Sequence, residues 1–248
     1  MSQISVINKQ VDFVQNLEIV YNSATTIYIE AGSCRDKNNN STINLKEKVV
    51  VQTDIVGVNG YDGKFPYTYD RAVLAVYIIG NSFDTSMVGG LLSLDPETPL
   101  LPNNYNIYRR IGWINVIANT IIFQFAQSGE GLTRYYYHTI PSAGDDLIGL
   151  PYQLFPTPDT IVSRSIPKID TIANITIVTD PNPTSRLRFK LPDASFEQVS
   201  FSNVNRTNIV NQNVPLKLLN NNAVCFASNS GGLAFAANCS SAGYVDYL

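Results

Sequence analysis

No segment longer than about ten residues repeats its apolar residues at helical spacing, whereas short β-branched and aromatic runs recur along most of the chain. This limits the fold to the all-β class, in which strands find their backbone partners in other strands. Lys, Glu and Ala are sparse in the way expected of such a protein. Arg71–Gly80 is the most continuously apolar run and is placed centrally, covered on both faces. Thr25–Gly32 reads as a strand, followed by a polar loop over Ser33–Ser41. In Lys48–Val56, Val49, Val51, Thr53 and Ile55 share the buried face. Asn119–Gln127 and Thr133–Thr139 form a predicted hairpin about Ser128–Leu132, whose glycines can supply positive φ. Residues 1–17 alternate too poorly to assign beyond an arm or edge segment.

The stretch Gly89 to Ile114 is expected to organise the first half. Pro96, Pro99 and Pro102 forbid helix and central strand, so it reads as a crossover. Leu91, Leu92, Leu94, Leu100 and Leu101 are too many for a solvated loop, which predicts that it lies across a sheet edge and helps close the core.

Length allows one large β domain or two of roughly 100 to 130 residues. Four prolines and the Gly144-Asp145-Asp146 turn interrupt the pattern over residues 141–158, which marks a boundary. Beyond it, short strands are expected at Thr160–Ser165, Thr171–Thr179, Ser185–Leu191, Glu197–Phe201 and Val214–Leu219. A terminal hairpin pairs Asn222–Ser228 with Gly232–Asn238. Turn signals at 180–183, 192–193 and 220–222 have sandwich spacing. The expected architecture is two β-sandwich-like domains with short antiparallel strands and no substantial helix, over residues 1–145 and 155–248.

Charged residues make up 15% of the chain, below the usual quarter, and Asn roughly a tenth. Such a surface suits a subunit packed among others, where each buried charge needs a partner; an AT-rich genome would produce the same bias. The net charge of −3, with scattered Lys and Arg, argues against nucleic acid as a partner. No run reaches the ~18 apolar residues of a membrane span, and Met1–Ser5 does not resemble a secretory start. Synthesis and assembly in a cytoplasm are expected. The five Asn-x-Ser/Thr matches carry no meaning in that setting.

Candidate chemistry is thin. Cys34, Cys225 and Cys239 have no metal-ligand spacing, and the predicted terminal hairpin keeps Cys225 away from Cys239, so free thiols are expected. His138 is the sole histidine and lacks a nucleophile motif, so a structural or surface role outweighs catalysis. Asp145 and Asp146 point apart if extended, unlike a facing acid–base pair. Asp36–Ser41 and Asn59–Asp70 are oxygen-rich but do not match an EF-hand ladder. Phosphate loops, CxxC pairs and His-Glu-x-x-His are absent, so no cofactor, metal or enzymatic activity is expected.

Tyrosines and arginines remain. Tyr61, Tyr67 and Tyr69 lie on one loop, Tyr105 and Tyr108 beside Arg109 and Arg110, and Tyr135 to Tyr137 on the hairpin. They read either as cross-strand packing pairs or as a protein–protein interface, with stacking on sugars a third possibility. The interface candidates are Tyr61, Tyr67, Tyr69, Tyr105, Tyr108, Arg109 and Arg110. Adjacent in an extended chain, the two arginines must point to opposite faces. One is expected to reach the Trp113 side and the crossover backbone, the other to point outward beside Tyr105 or Tyr108 toward a neighbouring subunit.

Ala31–Asp36, Gly57–Gly63, Leu91–Ser93, Leu101–Tyr105, Tyr108–Gly112 and Gly243–Asp246 together resemble a group of tailed-bacteriophage structural proteins of the virion exterior. The resemblance spans most of residues 30–140 and the last few residues; Tyr61 stands where the family pattern has Leu. It implies a non-enzymatic virion component of the tail, neck, fibre or capsid exterior, assembled in the host cytoplasm. Its implied partners are other virion proteins and further copies of itself. A receptor- or glycan-binding module of a fibre, meeting a host surface glycan or receptor, is the alternative. A polysaccharide-degrading tail enzyme is the other class, but the chain lacks the long solenoid repeats such enzymes often use.

Overall fold

The structure, a computed structural model, describes residues 12–63, 71–117, 120–138, 147–148, 159–163, 167, 171–179, 186–190, 199–202, 208–219, 222–230 and 237–248. These residues form strands and turns with no helix, as the periodicity requires. The strands β1 (Val14–Asn16), β2 (Ile19–Ser23), β3 (Thr26–Ile29), β4 (Gly32–Arg35), β5 (Thr42–Leu45) and β6 (Val49–Gln52) make two three-stranded sheets, ordered β1-β4-β5 and β2-β3-β6. Next come β7 (Gly60–Tyr61), β8 (Arg71–Gly80), β9 (Val88–Ser93), β10 (Ile107–Ile117) and β11 (Ile121–Ile122), in the sheet order β11-β10-β8-β9-β7.

The remaining strands form one large sheet. They are β12 (Phe125–Ser128), β13 (Thr133–His138), β14 (Leu147–Ile148), β15 (Asp159–Ser163), β16 (Thr171–Thr179), β17 (Arg186–Lys190), β18 (Val199–Ser202), β19 (Asn208–Leu219), β20 (Asn222–Ser230) and β21 (Ala237–Tyr247). The order is β12-β13-β21-β16-β19-β20-β15-β14, with β17 and β18 branching from β20. The last strand therefore lies between the 125–138 hairpin and the strands of the second half. Pro215 sits within β19 opposite Ile172 of β16, while β20 pairs only with Lys217–Leu219. The proline thus has a ladder partner on one side only among the described residues, the setting of an edge position.

The central position of β8 follows from its sequence. With β9 on one edge and β10 on the other, it buries Leu74, Val76 and Ile78 on one face and Ala75, Tyr77 and Ile79 on the other. The first of these faces joins Ile19, Ile27, Ile29, Ile43, Val51 and Ile111 in one hydrophobic core. In β6, Val51 is buried and Val50 is exposed, matching the predicted alternation, but the strand ends at Gln52 and Ile55, expected on the buried face, is exposed. The 125–138 hairpin forms with Phe125 opposite His138 and Ser128 opposite Tyr135, and Gly129 and Gly131 adopt positive φ in its loop.

Three expectations are corrected. The crossover is shorter than its prolines and leucines suggested, because Val88–Ser93 is a strand paired along β8 and the connection proper runs from 94 to 106. Leu91 and Leu92 are fully buried in that strand, but Leu94 and Leu100 are 41% and 69% exposed. Ser33–Arg35 is strand, not loop; Cys34 there has no exposure because β1 and β5 flank it. Thr25–Gly32 is accordingly broken at Glu30–Ala31, where the chain leaves one small sheet for the other.

The third correction concerns the C-terminus. β20 pairs with β15, β17 and β19, while β21 pairs with β13 and β16. The two are not hairpin partners in the described registers. Cys225 lies opposite Ile161 and Cys239 opposite Ile177, with β16 and β19 between their strands. The side chains of Cys225, Cys239 and His138 lie outside the described residues, as do Tyr67, Tyr69, Asp145 and Asp146.

Candidate functional site

A cleft of about 200 Å³ opens beside β10 and gathers three of the residues singled out in the sequence, Tyr108, Arg109 and Arg110. Its floor follows from strand register. Arg110 lies opposite Tyr77 and Tyr108 opposite Ile79, which puts Tyr77, Tyr108 and Arg110 on one face of β8 and β10. Tyr77 and Tyr108 meet edge to face with ring centres 5.8 Å apart. Pro96 and Glu97 of the 94–106 connection form one wall, with Lys37 beside them and Leu248 also lining the cleft.

The wall is fixed by backbone capture. Tyr77 donates its hydroxyl to the Asp95 carbonyl at 2.9 Å and Tyr108 to the Glu97 carbonyl at 3.1 Å. Lys37 donates to the Glu97 carbonyl at 2.7 Å and to its carboxylate at 2.9 Å, and lies 5.9 Å from the Tyr108 ring centre. The hydrogen bond that Lys37 donates to Glu97 raises its ammonium above its ordinary pKa, with burial opposing. Burial alone would raise the Asp95 carboxyl, but the N–H groups of Glu97 and Thr98 hold it below the usual range. Asp62 reaches over from the glycine-rich loop, accepting from Ser93 Oγ at 2.6 Å and from the Leu100 N–H at 3.0 Å. The glycine-rich loop thus staples the connection.

Opposed side chains are found on β10, as expected, but neither arginine projects freely outward. Arg110 stacks over Trp113, 4.7 Å from the ring centre, and donates Nη1 to Asp246 Oδ2 at 2.6 Å. Burial works against its charge, yet the Asp246 carboxylate outweighs it and holds the guanidinium above its ordinary pKa. Arg109, expected outside if Arg110 was inside, instead makes a two-pronged ion pair with Asp12, both bonds at 3.0 Å, and is 8% exposed. The reason is tertiary: Asp12, just before β1, meets Arg109 on that face of β10. Cys34 lies near this pair, and burial pushes its thiol up to about 12, with Arg109 opposing the shift.

Tyr61, an interface candidate, is 4% exposed and belongs to the core. Tyr105 remains half-buried at the end of the 94–106 connection, where burial raises its phenol. Backbone-capturing guanidinium forks do occur, on residues the sequence reading passed over. Arg134 binds the Gly129 and Asn16 carbonyls, and Arg35 binds the Asn39 carbonyl and Thr42 Oγ1. Asn16 and the neighbouring Leu17 both have positive φ, so Arg134 holds a turn of sparsely populated backbone. The oxygen-rich loop at Asp36 is likewise self-contained, its carboxylate accepting from the N–H groups of Asn38, Asn40 and Ser41. Among the described residues no group of three His, Cys, Asp or Glu could hold a metal ion.

Behind Arg110, Tyr136 and Tyr244 stack with centres 4.8 Å apart, both buried by the contact of the large sheet with β10. Burial raises the phenols of Tyr61, Tyr77, Tyr136 and Tyr244 above their ordinary values. An unfolded chain releases those protons near pH ~10, while the folded chain retains them. Their contribution to stability is therefore complete below about pH 10 and declines as pH rises beyond it. Urea unfolding across that range, read alongside phenolate absorbance, should show stability falling before these tyrosines titrate in the folded state. Unchanged stability up to about pH 12 would contradict their burial.

Of the nominated residues, Tyr108, Arg109 and Arg110 line one cleft, and their donors are largely engaged in holding the fold. No protein-family model and no curated protein matches the chain.

Proposed function

We propose that this chain is a non-enzymatic structural component of a bacteriophage virion, acting through protein–protein interfaces in the tail, neck, fibre or capsid exterior. The observation that carries the reading is the cleft itself, where Tyr108 stays partly exposed beside Lys37 and Pro96, with Lys37, Arg109 and Arg110 each matched to a carboxylate of the same chain. Such a site offers a fixed shape with a partly exposed tyrosine, a residue type enriched among interface anchors. The quoted motifs supply the virion assignment by resemblance, and they coincide with its scaffold. Gly57–Gly63 and Leu91–Ser93 hold the 94–106 connection, and Gly243–Asp246 brings Asp246 to Arg110.

A glycan-binding role is less well supported by the same geometry. A sugar platform needs an open ring face, whereas Tyr61 is buried and Tyr108 is flanked by Tyr77 and Lys37. The test is to purify particles from cells producing this chain with an affinity label and to image them with the label decorated. The expected result is the chain at fixed stations and constant copy number per particle. Particles that lack it, while it stays soluble in the lysate, would overturn the reading.

A further inference from the structure

Asn59-Gly60 is the one Asn-Gly pair in the chain, and it lies in the glycine-rich loop. In the fold it clasps two strands together. The Asn59 carbonyl accepts from the Gln52 N–H of β6 at 2.9 Å, and its own N–H donates to the Gly90 carbonyl of β9 at 2.8 Å. Its side-chain Oδ1 accepts from the Gly90 N–H at 2.9 Å. Asn-Gly is also the sequence in which an asparagine amide is lost most readily, because glycine puts no side chain in the path of its own nitrogen. The Gly60 nitrogen, giving its proton to water, attacks Asn59 Cγ to close a succinimide ring, and the Cγ–Nδ2 bond breaks to release ammonia. Water then opens the ring at either carbonyl, leaving aspartate or, with the main chain rerouted through Cβ and Cγ, isoaspartate.

The folded loop opposes ring closure in three ways. Gly60 N–H is held by the Gly57 carbonyl at 3.0 Å, and the backbone there is packed so closely that a Cβ on Gly60 would stand 2.5 Å from the Ile55 carbonyl oxygen. Closure needs Cβ and the next nitrogen nearly eclipsed about the Asn59 Cα–C bond, whereas its φ of 63° puts Asn59 in the left-handed region, which holds them apart. The amide that must turn toward Gly60 is tied to Gly90. We propose that Asn59-Gly60 is a one-way modification site, closed while the clasp is made and converted to isoaspartate when the loop opens. Isoaspartate lengthens the main chain by a methylene, so the bonds to Gln52 and Gly90 cannot all be remade. An opening that would otherwise reverse becomes permanent. A chain held folded keeps its amide, and a chain that dwells open loses it.

The test ages the full chain at neutral pH, folded and in urea, and reads Asn59 by peptide mapping for amide loss and isoaspartate. Conversion in the folded chain should be slower by at least roughly a hundredfold, since it proceeds only through the open fraction. Gly89→Ala loosens the clasp: its Cβ would stand 2.7 Å from Val58 Cγ1 and 3.1 Å from Asn59 Oδ1, pressing that side chain off Gly90. With its fold verified by circular dichroism, this variant should convert about tenfold faster than the parent. Should it not fold, hydrogen exchange of the Gly60 and Gly90 amides in the parent measures the open fraction, and conversion should rise in proportion as urea is added below the unfolding midpoint. Folded and unfolded parent ageing alike, a folded Gly89→Ala ageing like the parent, or conversion that ignores the exchange-derived open fraction would each overturn the shielding. An Asn59 that survives in urea would overturn the site itself. Aged chains refolded out of urea should leave the isoaspartate form outside the native fraction, and its equal presence there would overturn the one-way consequence.

Discussion

Asp246→Ala should lower the melting temperature by roughly 6 to 20 °C, corresponding to a loss of about 3 to 5 kcal/mol. Asp246 has no exposed surface and accepts from Arg110 across 136 positions of sequence. Removing it takes that anion from two largely buried guanidiniums, Arg110 and Arg134, the latter opposite Asp246 across the β13–β21 ladder. An uncompensated buried charge is far more destabilising than the intact pair is stabilising. Arg110→Met combined with Asp246→Leu should therefore recover much of the loss, since it removes both charges and keeps apolar volume. A double variant no more stable than Asp246→Ala would show that the pair is not the relevant contact. The pair has an architectural consequence as well: it ties β21 to β10, joining the large sheet to the five-stranded one.

Gly90→Val should be damaging in a separate region, by about 3 kcal/mol or roughly 6 to 12 °C. A Cβ at Gly90 would overlap the Val51 Cγ2 methyl and lie 2.9 Å from Ile29 Cδ1. Val51 and Ile29 are fully buried, so neither has space into which to retreat. Gly63→Ala is the natural control. Its Cβ would meet only Leu100 Cδ2 at 3.9 Å, and little change is expected. Calorimetry showing equal melting for the two variants would mean that the β2-β3-β6 sheet does not press on β9 as closely as described.

How far the sequence could be read depended on whether a feature was local. The run Arg71–Gly80 is apolar at successive positions, which can be satisfied only by cover on two faces, and β8 has that cover. The 125–138 hairpin was legible because glycines sat where positive φ was needed between two alternating runs. Ser33–Arg35 was misread because a short strand containing Arg and Ser looks like loop; only β1 and β5 on either side make it sheet. The leucines of the connection were counted together as core, although only those on the β9 ladder are buried and the rest follow a proline-bound path outside it.

The cleft was legible in part. Adjacency placed Arg109 and Arg110 on opposite faces, and Trp113, three positions after Arg110, was a readable partner. Asp12 and Asp246 were not readable as partners, being 97 and 136 positions away, because a carboxylate's sequence context says nothing about which distant guanidinium it meets. Arg134 was overlooked because a strand arginine carries no local sign that it will cap a left-handed turn at Asn16.

By itself the sequence determined the strand class, the central strand, the hairpin and the alternation of faces, because steric preference and side-chain period act over a few residues. Tertiary structure decided which strands neighbour one another, that β21 enters between β13 and β16, and which charges are buried together. Backbone hydrogen bonding is identical for every residue except proline, so a strand's own sequence cannot name its partner. That choice belongs to the packing of the whole core.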